Sequence, residues 1–339
     1  MRQAKGDLIE GVEVPPTCHA GGSSASGRSA GGVDVSASTG WPEGAEAWVR
    51  DALAPSVVRA TGPTAAPRSW VVRLDDGDRR WYFKEDRSHG PSEASVLRRL
   101  AERRPSDVAV VTAIDEARGW SLTCDAGPTL RVENHTGTWC TAVRRLGELQ
   151  VSEAMHTKEW RTLRCRDLSG DRLFGAIQSL FAAAFPQLEP DVCDVLHSLT
   201  PRIEEACATL VDDPVPDTLV HRDIVPVNVV VSEDGPVLLD WSDIVVGHPF
   251  FACDRLLDSC WTDRARKEAV IDAYLSAFEC FADRDTLRRS FGAVLFLRVV
   301  YEGVRWMDEI EGLDPGSEHA RRLWADALSG LRAMAKAAA

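Results

Sequence analysis

Three oxygen-bearing side chains, Asp223, Asn228 and Asp240, fall in one stretch, TLVHRDIVPVNVVVSEDGPVLLDWSD (218–243), whose pattern can bring them together. Thr218–Val220 reads as a short apolar strand followed by a polar loop. Val229–Val231 and Val237–Leu239 read as the arms of a β-hairpin joined by Ser232–Pro236, with Asp234-Gly235 as the turn signal. If Val231 pairs with Val237, the antiparallel ladder sets Asn228 opposite Asp240, and directly opposed side chains share a face. A carboxylate and an amide oxygen then converge at the open end of the hairpin, with Asp223 on the loop beside them. Two oxygen ligands and a further carboxylate suit Mg²⁺ held together with phosphate, and a base that orients a hydroxyl. A polar turn and a strand-end cap is the bland reading of the same residues.

A second pair lies upstream. Lys84 closes a strand in which Tyr82 and Lys84 face one way and Trp81 and Phe83 the other. Glu93 follows in a helix that Pro91 can start at its first position. Glu93, Val96, Leu97 and Leu100 are spaced i, i+3, i+4, i+7, so the glutamate shares the apolar face. A carboxylate directed toward a core wants a cation, and Lys84 is the candidate. The alternative is a solvated lysine and a rim glutamate. Glu85 is a poorer partner, because immediate neighbours in a strand point to opposite faces.

His221-Arg222-Asp223 followed by Asn228 resembles the H-x-D-x4-N catalytic loop of the protein-kinase-like phosphotransferases, and Asp240 after an apolar strand resembles their metal-binding aspartate. Asp240-Trp241, with Gly247 and Pro249 downstream, is similar to the aminoglycoside phosphotransferase family. The resemblance implies Asp223 as the catalytic residue, Asn228 and Asp240 as Mg²⁺ ligands, and Lys84, fixed by Glu93, as the group that positions the phosphates of ATP, or of GTP. His221 and Arg222 are expected to support the loop. The sequence departs from the family in Ser242, where an acidic residue is usual and Asp243 stands one further on, and in Gly247-His248-Pro249, where His replaces Asp. His248 is therefore read as a turn residue and Asp254 as structural.

The surrounding elements must hold these groups in place. Pro42–Ala54 reads as a helix, and Ser56–Thr61, Arg68–Leu74, Arg79–Glu85, Val108–Ile114 and Trp120–Thr123 as five strands. Gly62–Pro67 falls where kinase-like enzymes keep a nucleotide-covering loop, but it lacks G-x-G-x-x-G. Thr123–Gly127 is the expected hinge. Beyond it, Trp139–Met155, Leu173–Phe185, Pro190–Leu210, Phe250–Trp261, Arg266–Phe281, Thr286–Ile310 and Ser317–Ala337 read as helices. The fold class that follows is α+β: a bilobal, protein-kinase-like fold with a small N-lobe carrying a five-stranded antiparallel sheet (41–124) and a larger helical C-lobe (125–339). Residues 1–40, rich in Gly, Ser and Ala, are expected to be disordered.

With 339 residues, 44% apolar and 27% charged, the chain has the composition of a soluble globular protein with two sizeable cores. No apolar run reaches the length of a membrane span and no signal pattern opens the chain, which points to the cytoplasm. Nine cysteines without paired C-x-x-C spacing read as reduced thiols, with Cys253 and Cys260 as packed side chains. A net charge of −13 argues against nucleic acid as a partner.

The acceptor is expected to be a small hydroxylated molecule. Glu302, Asp308, Glu309 and Glu311 around Trp306 could receive a cationic, sugar-like antibiotic, although Arg305 can pair with Glu309 and the cluster can equally be a solvated face. Three functions compete: an antibiotic kinase, a kinase of a sugar, amino alcohol or biosynthetic intermediate, and a non-catalytic nucleotide-binding module. The last would be expected to have lost one of Lys84, Glu93, Asp223, Asn228 and Asp240, and all five are present.

Overall fold

A computed structural model describes residues 40–54, 58–66, 68–88, 90–130, 135–232, 234–258 and 263–339. The expectations for the first 39 residues, for Ser56, Pro67 and Cys260–Trp261, and for the side chain of Asp254 lie outside the described residues. Helix α1 (Ala45–Leu53) leads into strands β1 (Arg59–Ala66), β2 (Ser69–Asp75) and β3 (Arg80–Asp86). Helix α2 (Glu93–Arg103) precedes β4 (Val111–Asp115) and β5 (Trp120–Cys124). These strands form one antiparallel sheet in the order β1-β2-β3-β5-β4. Alternation puts Trp70, Val72, Leu74, Trp81, Phe83, Trp120 and Leu122 on the face that α1 covers with Val49 and Leu53. Trp41 and Trp48 join Trp70, Phe83 and Trp120 in edge-on and tilted ring contacts, each worth about 0.5–1.5 kcal/mol beyond area burial.

The rest of the chain is mainly helical: α3 (Thr136–Glu153), α4 (Thr157–Thr162), α5 (Arg172–Ala184), α6 (Pro190–Val211), α7 (Asp254–Asp258), α8 (Arg264–Leu275), α9 (Arg284–Ile310) and α10 (Glu318–Ala338). Asp283 and Ser317 cap α9 and α10, accepting from Thr286 N at 2.8 Å and Ala320 N at 3.1 Å. Between α6 and α7 lie β7 (Thr218–His221), the hairpin β8 (Val229–Ser232) and β9 (Gly235–Leu238), and β10 (Ile244–Gly247). With the two-residue β6 (Arg166–Asp167), β10 and β7 make a small sheet in which β10 is central. Among the described residues no helix is long and apolar enough to cross a membrane.

The architecture is the expected bilobal α+β one, with three local corrections. The segment expected to cover the nucleotide is strand: β1 runs through Gly62 and Pro63, its pairing interrupted between Thr61 and Thr64, and Ala66 pairs with Ser69. Ser92, not Pro91, starts α2: its hydroxyl accepts from Ser95 N, and Glu93 becomes the first helical residue. The hairpin register is one residue away from the expected one. Val230, not Val231, faces Val237, and the ladder continues to Ser232–Gly235, where Gly235 adopts φ +118°. A glycine supplies that left-handed conformation at no steric cost.

Helix α2 lies between the lobes. Its Val96, Leu97 and Leu100 are buried in the core of the larger lobe with Val108, Leu130 and Trp139. Its last residue, Arg103, donates to Glu153 on α3 through Nε (3.0 Å) and Nη2 (2.7 Å), and to Glu159 on α4 through Nη1 (2.8 Å).

Candidate active site

The loop after β7 is fixed from both sides. The buried ring of His221 accepts the Asp223 N–H at Nδ1 (3.1 Å) and meets the Leu239 carbonyl at Nε2 (3.0 Å). Nε2 therefore carries the proton and donates, and burial, which pushes the imidazole pKa down, keeps the ring neutral. Arg222 grips Asp243 through Nε (2.8 Å) and Nη2 (2.6 Å) and reaches Asp308 on α9 at 2.6 Å. Asn228, at the end of a single 3₁₀ turn, donates its Nδ2 to the Asp223 carbonyl at 2.9 Å and to Asp223 Oδ2 at 3.4 Å. Asp223 and Asn228 are thus in direct contact.

Asp240 arrives by a different route from the one its spacing suggests. The register places Leu239 opposite Asn228, and Leu239 N donates to Asn228 O at 2.9 Å. In a continued strand Asp240 would point to the face opposite Asn228. It instead takes φ +61°, a left-handed conformation that a short polar residue tolerates better than most. Its Oδ1 accepts Lys84 Nζ at 2.6 Å and Ser242 Oγ at 2.7 Å. Lys84 Nζ lies 2.6 Å from Glu93 Oε2 as well, and the other glutamate oxygen accepts the Trp241 N–H at 3.0 Å. Asp86, at the end of β3, accepts the Glu93 N–H at 2.6 Å and anchors the start of α2.

One lysine therefore sits between two carboxylates. Burial opposes the Lys84 charge, but Asp240 and Glu93 outweigh it and hold the ammonium above the ordinary lysine range. Burial likewise works against the Asp240 carboxylate, and Lys84 more than compensates, so Asp240 stays well below the usual range. Glu93 is pushed up by burial and by the nearby Asp240 charge, against the pull of Lys84.

Sequence reasoning missed the arginines on the far side of Asp223. Arg305 is buried on α9, with 2% of its side chain exposed, and does not turn to Glu309. It reaches Asp243 Oδ2 at 2.5 Å, Asp223 Oδ1 at 3.3 Å and Glu302 at 3.4 Å. Arg255 on α7 approaches Asp223 Oδ1 at 3.3 Å and Glu302 at 3.3 Å. Arg166 on β6 pairs with Asp308, and Glu309 lies 3.5 Å from His319. The acidic residues around Trp306 are thus mostly tied to basic partners rather than forming an open acidic face. The i,i+4 spacing of Arg305 and Glu309 was the misleading signal: a helical neighbour competes with carboxylates brought close only by the fold.

The donor set fits a hard divalent cation. Asn228 commits its amide nitrogen to Asp223, which leaves its carbonyl oxygen as the atom able to face a cation. Asp240 Oδ2 takes no hydrogen bond from any described residue. Among the described residues no group of three His, Cys, Asp or Glu could hold a metal by protein ligands alone. Mg²⁺ asks for less than that, since one or two protein oxygens with phosphates and waters complete its shell.

A profile of the phosphotransferase enzyme family matches residues 57–289. The chain belongs to that family. This phosphotransferase also resembles solved kinase-like structures at low identity. A choline/ethanolamine kinase family protein from Mesorhizobium loti is 15% identical with TM-score 0.55, covering 86% of this chain and 99% of that one. A macrolide 2'-phosphotransferase type I is 15% identical with TM-score 0.53, covering 86% and 98%. A Plasmodium vivax ethanolamine kinase is 11% identical with TM-score 0.54, covering 81% and 82%. At these identities the likeness concerns the fold. Among curated proteins none matches this phosphotransferase in sequence.

Proposed function

We propose that this small-molecule phosphotransferase moves the γ-phosphoryl group of ATP or GTP, with Mg²⁺, to a hydroxyl of a small natural product or metabolite. The observation that carries the reading is Lys84 Nζ at 2.6 Å from both Glu93 and Asp240, together with the direct contact of Asn228 with Asp223. Asp223 accepts the proton of the acceptor hydroxyl as its oxygen bonds to the γ-phosphorus and the bond to the β–γ bridging oxygen breaks, releasing a nucleoside diphosphate. Asn228 holds the Asp223 carboxylate in place and, with Asp240, would ligate Mg²⁺. When bound, the ion supplies charge neutralisation at the phosphates. Lys84, held by Glu93, positions the nucleotide phosphates. Alignment and charge neutralisation are what phosphoryl transfer chiefly requires. The hinge at Thr123–Gly127 would take the base, and a cytoplasmic location suits a consumer of nucleotide.

A hydroxylated antibiotic is the first acceptor class to test, because a macrolide phosphotransferase shares the fold. A sugar or amino-alcohol metabolite is the second, because ethanolamine and choline/ethanolamine kinases share it too. The test is turnover of Mg·ATP and Mg·GTP against both classes, with Asp223→Asn alongside. Acceptor-dependent phosphorylation should fall about 10²- to 10⁴-fold in the variant while nucleotide affinity stays unchanged. Nucleotide binding without phosphorylation of any acceptor, or turnover indifferent to Asp223→Asn, would move the non-catalytic binding module to first place.

A further inference from the structure

The guanidinium groups next to Asp223 differ in how fully their donors are used. An arginine grips an oxyanion best side-on, through Nε and Nη2 together. Arg222 uses that edge on Asp243, and Arg103 uses it on Glu153. Arg305 is 2% exposed and bound to three carboxylates, so it is a fixed part of the wall. Arg255 is different. Its Nε is buried and has no hydrogen-bond partner among the described residues, and its Nη2 has only a long 3.3 Å contact, with Asp223 Oδ1. Its Nη1 contacts to Glu302 are also long, at 3.3 Å to each oxygen. The side chain as a whole is 19% exposed, unlike that of Arg305.

We propose that the Nε–Nη2 edge of Arg255 is the anion-reading element of the acceptor site, and that the acceptor carries a carboxylate or phosphate a few bonds from the hydroxyl that is phosphorylated. This rests on the reading of Asp223 as the proton-accepting carboxylate, since Arg255 touches that residue. A bound oxyanion satisfies the open Nε donor and draws Nη2 away from Asp223 Oδ1, which leaves Arg305 as the arginine holding that oxygen. An unsatisfied buried donor is costly, so a ligand that fills it gains the charge-assisted bond and removes the penalty. A polycation meets carboxylates beside Asp223 that arginines already engage. Arg166, Arg222, Arg255 and Arg305 interleave with Asp223, Asp243, Glu302 and Asp308 in a network of equal and opposite charges. The acceptor thus differs in charge from ethanolamine, the substrate named for one of the structures that shares the fold.

The experiment compares probes that differ in charge but scarcely in size, so that pocket shape does not decide the result. Glycolate, ethylene glycol and ethanolamine are titrated into the Mg·ADP-loaded protein by ligand-observed NMR, with glycerol 3-phosphate and glycerol as the phosphate arm. Glycolate or glycerol 3-phosphate should bind at least about tenfold tighter than its neutral counterpart, with ethanolamine weakest. Whichever anion shows the preference identifies the source of the charge. The difference should vanish in Arg255→Gln and return in part in Arg255→Lys, with Mg·ADP affinity reporting that both variants are folded. Equal binding of all probes, a preference for ethanolamine, or an anion preference that survives Arg255→Gln overturns the proposal. The parent reading fails separately. If no hydroxyl compound is phosphorylated but the anion preference follows Arg255, phosphoryl transfer is wrong and the anion site stands. If kanamycin or ethanolamine is phosphorylated undiminished in Arg255→Gln, the anion site is wrong and phosphoryl transfer stands.

Discussion

The glutamate of α2 performs two tasks with its two oxygens, and they can be separated by substitution. Glu93 Oε2 holds Lys84, while Oε1 receives the N–H of Trp241, the residue after Asp240. Glu93→Gln keeps an oxygen for Trp241 but turns an amide donor toward the Lys84 ammonium, donor against donor. Lys84 is then left with Asp240 as its only charged partner in this cluster, and the lysine proposed for the nucleotide is drawn onto the aspartate proposed for the metal. The expected outcome is a rise in the Kd for Mg·ADP of about ten- to a hundredfold, the range for loss of one charge-assisted hydrogen bond. Isothermal titration reads it directly. An unchanged Kd would mean that Lys84 does not depend on Glu93 for its position.

At the scale of elements, α2 is held from both sides: Asp86 of β3 anchors its start, Arg98 and Arg99 pair with Glu116 beside β4, and its last residue clamps it to the larger lobe. The clamp is Arg103, which satisfies both oxygens of Glu153, a carboxylate with 1% of its side chain exposed. Arg103→Ala leaves Glu153 with Trp160 Nε1, at 3.1 Å, as its remaining hydrogen-bond donor. Stranding a buried charge costs about 3–5 kcal/mol, and the lower end applies here because Trp160 remains. Denaturant unfolding should show a loss of about 3 kcal/mol, accompanied by weaker nucleotide binding as α2 loosens. Loss of stability alone would make the clamp structural and nothing more.

Much of this architecture was legible because it is periodic or local. The apolar spacing of Glu93, Val96, Leu97 and Leu100, the run of helices after the hinge, and the small and large lobes all follow from patterns within one element. The hairpin was legible, but not its register, since a slip of one residue keeps every valine opposite valine, leucine or proline. Nor does any propensity announce that Asp240 leaves the strand at φ +61°. The arginines were illegible for another reason: Arg255 and Arg305 meet Asp223 across 32 and 82 residues of chain, and only the packing of α7 and α9 brings them there. A helix reading pairs Arg305 with its own neighbour and cannot see the carboxylates that the fold brings to it.

The whole molecule is an acidic chain in which many carboxylates are paired with basic groups, and its pH response should separate a compensated carboxylate from an uncompensated one. Hydrogen bonds from Ser169 and Arg161 hold Asp167 below the usual carboxylate range against the upward push of burial, and Lys84 does the same for Asp240. For such groups the stabilisation is complete above the unfolded-state pKa of about 4 and is lost as pH falls through the folded value, so the protein should weaken on acidification. Asp217 runs the other way. Burial pushes its pKa up, and it makes no hydrogen bond or ion pair with any described residue. Its charge therefore costs stability at neutral pH; the cost shrinks as the pH falls below the raised folded pKa and is gone below the unfolded-state pKa of about 4. Asp217→Asn removes that charge at nearly constant volume. The variant should melt above the parent at pH 7, with the gap narrowing as the pH is lowered and closed below about pH 4, where Asp217 is protonated in both the folded and the unfolded parent. Melting curves of the two proteins across this range decide the matter: a gap that is absent at pH 7, or that widens toward acid, would show that Asp217 is compensated after all.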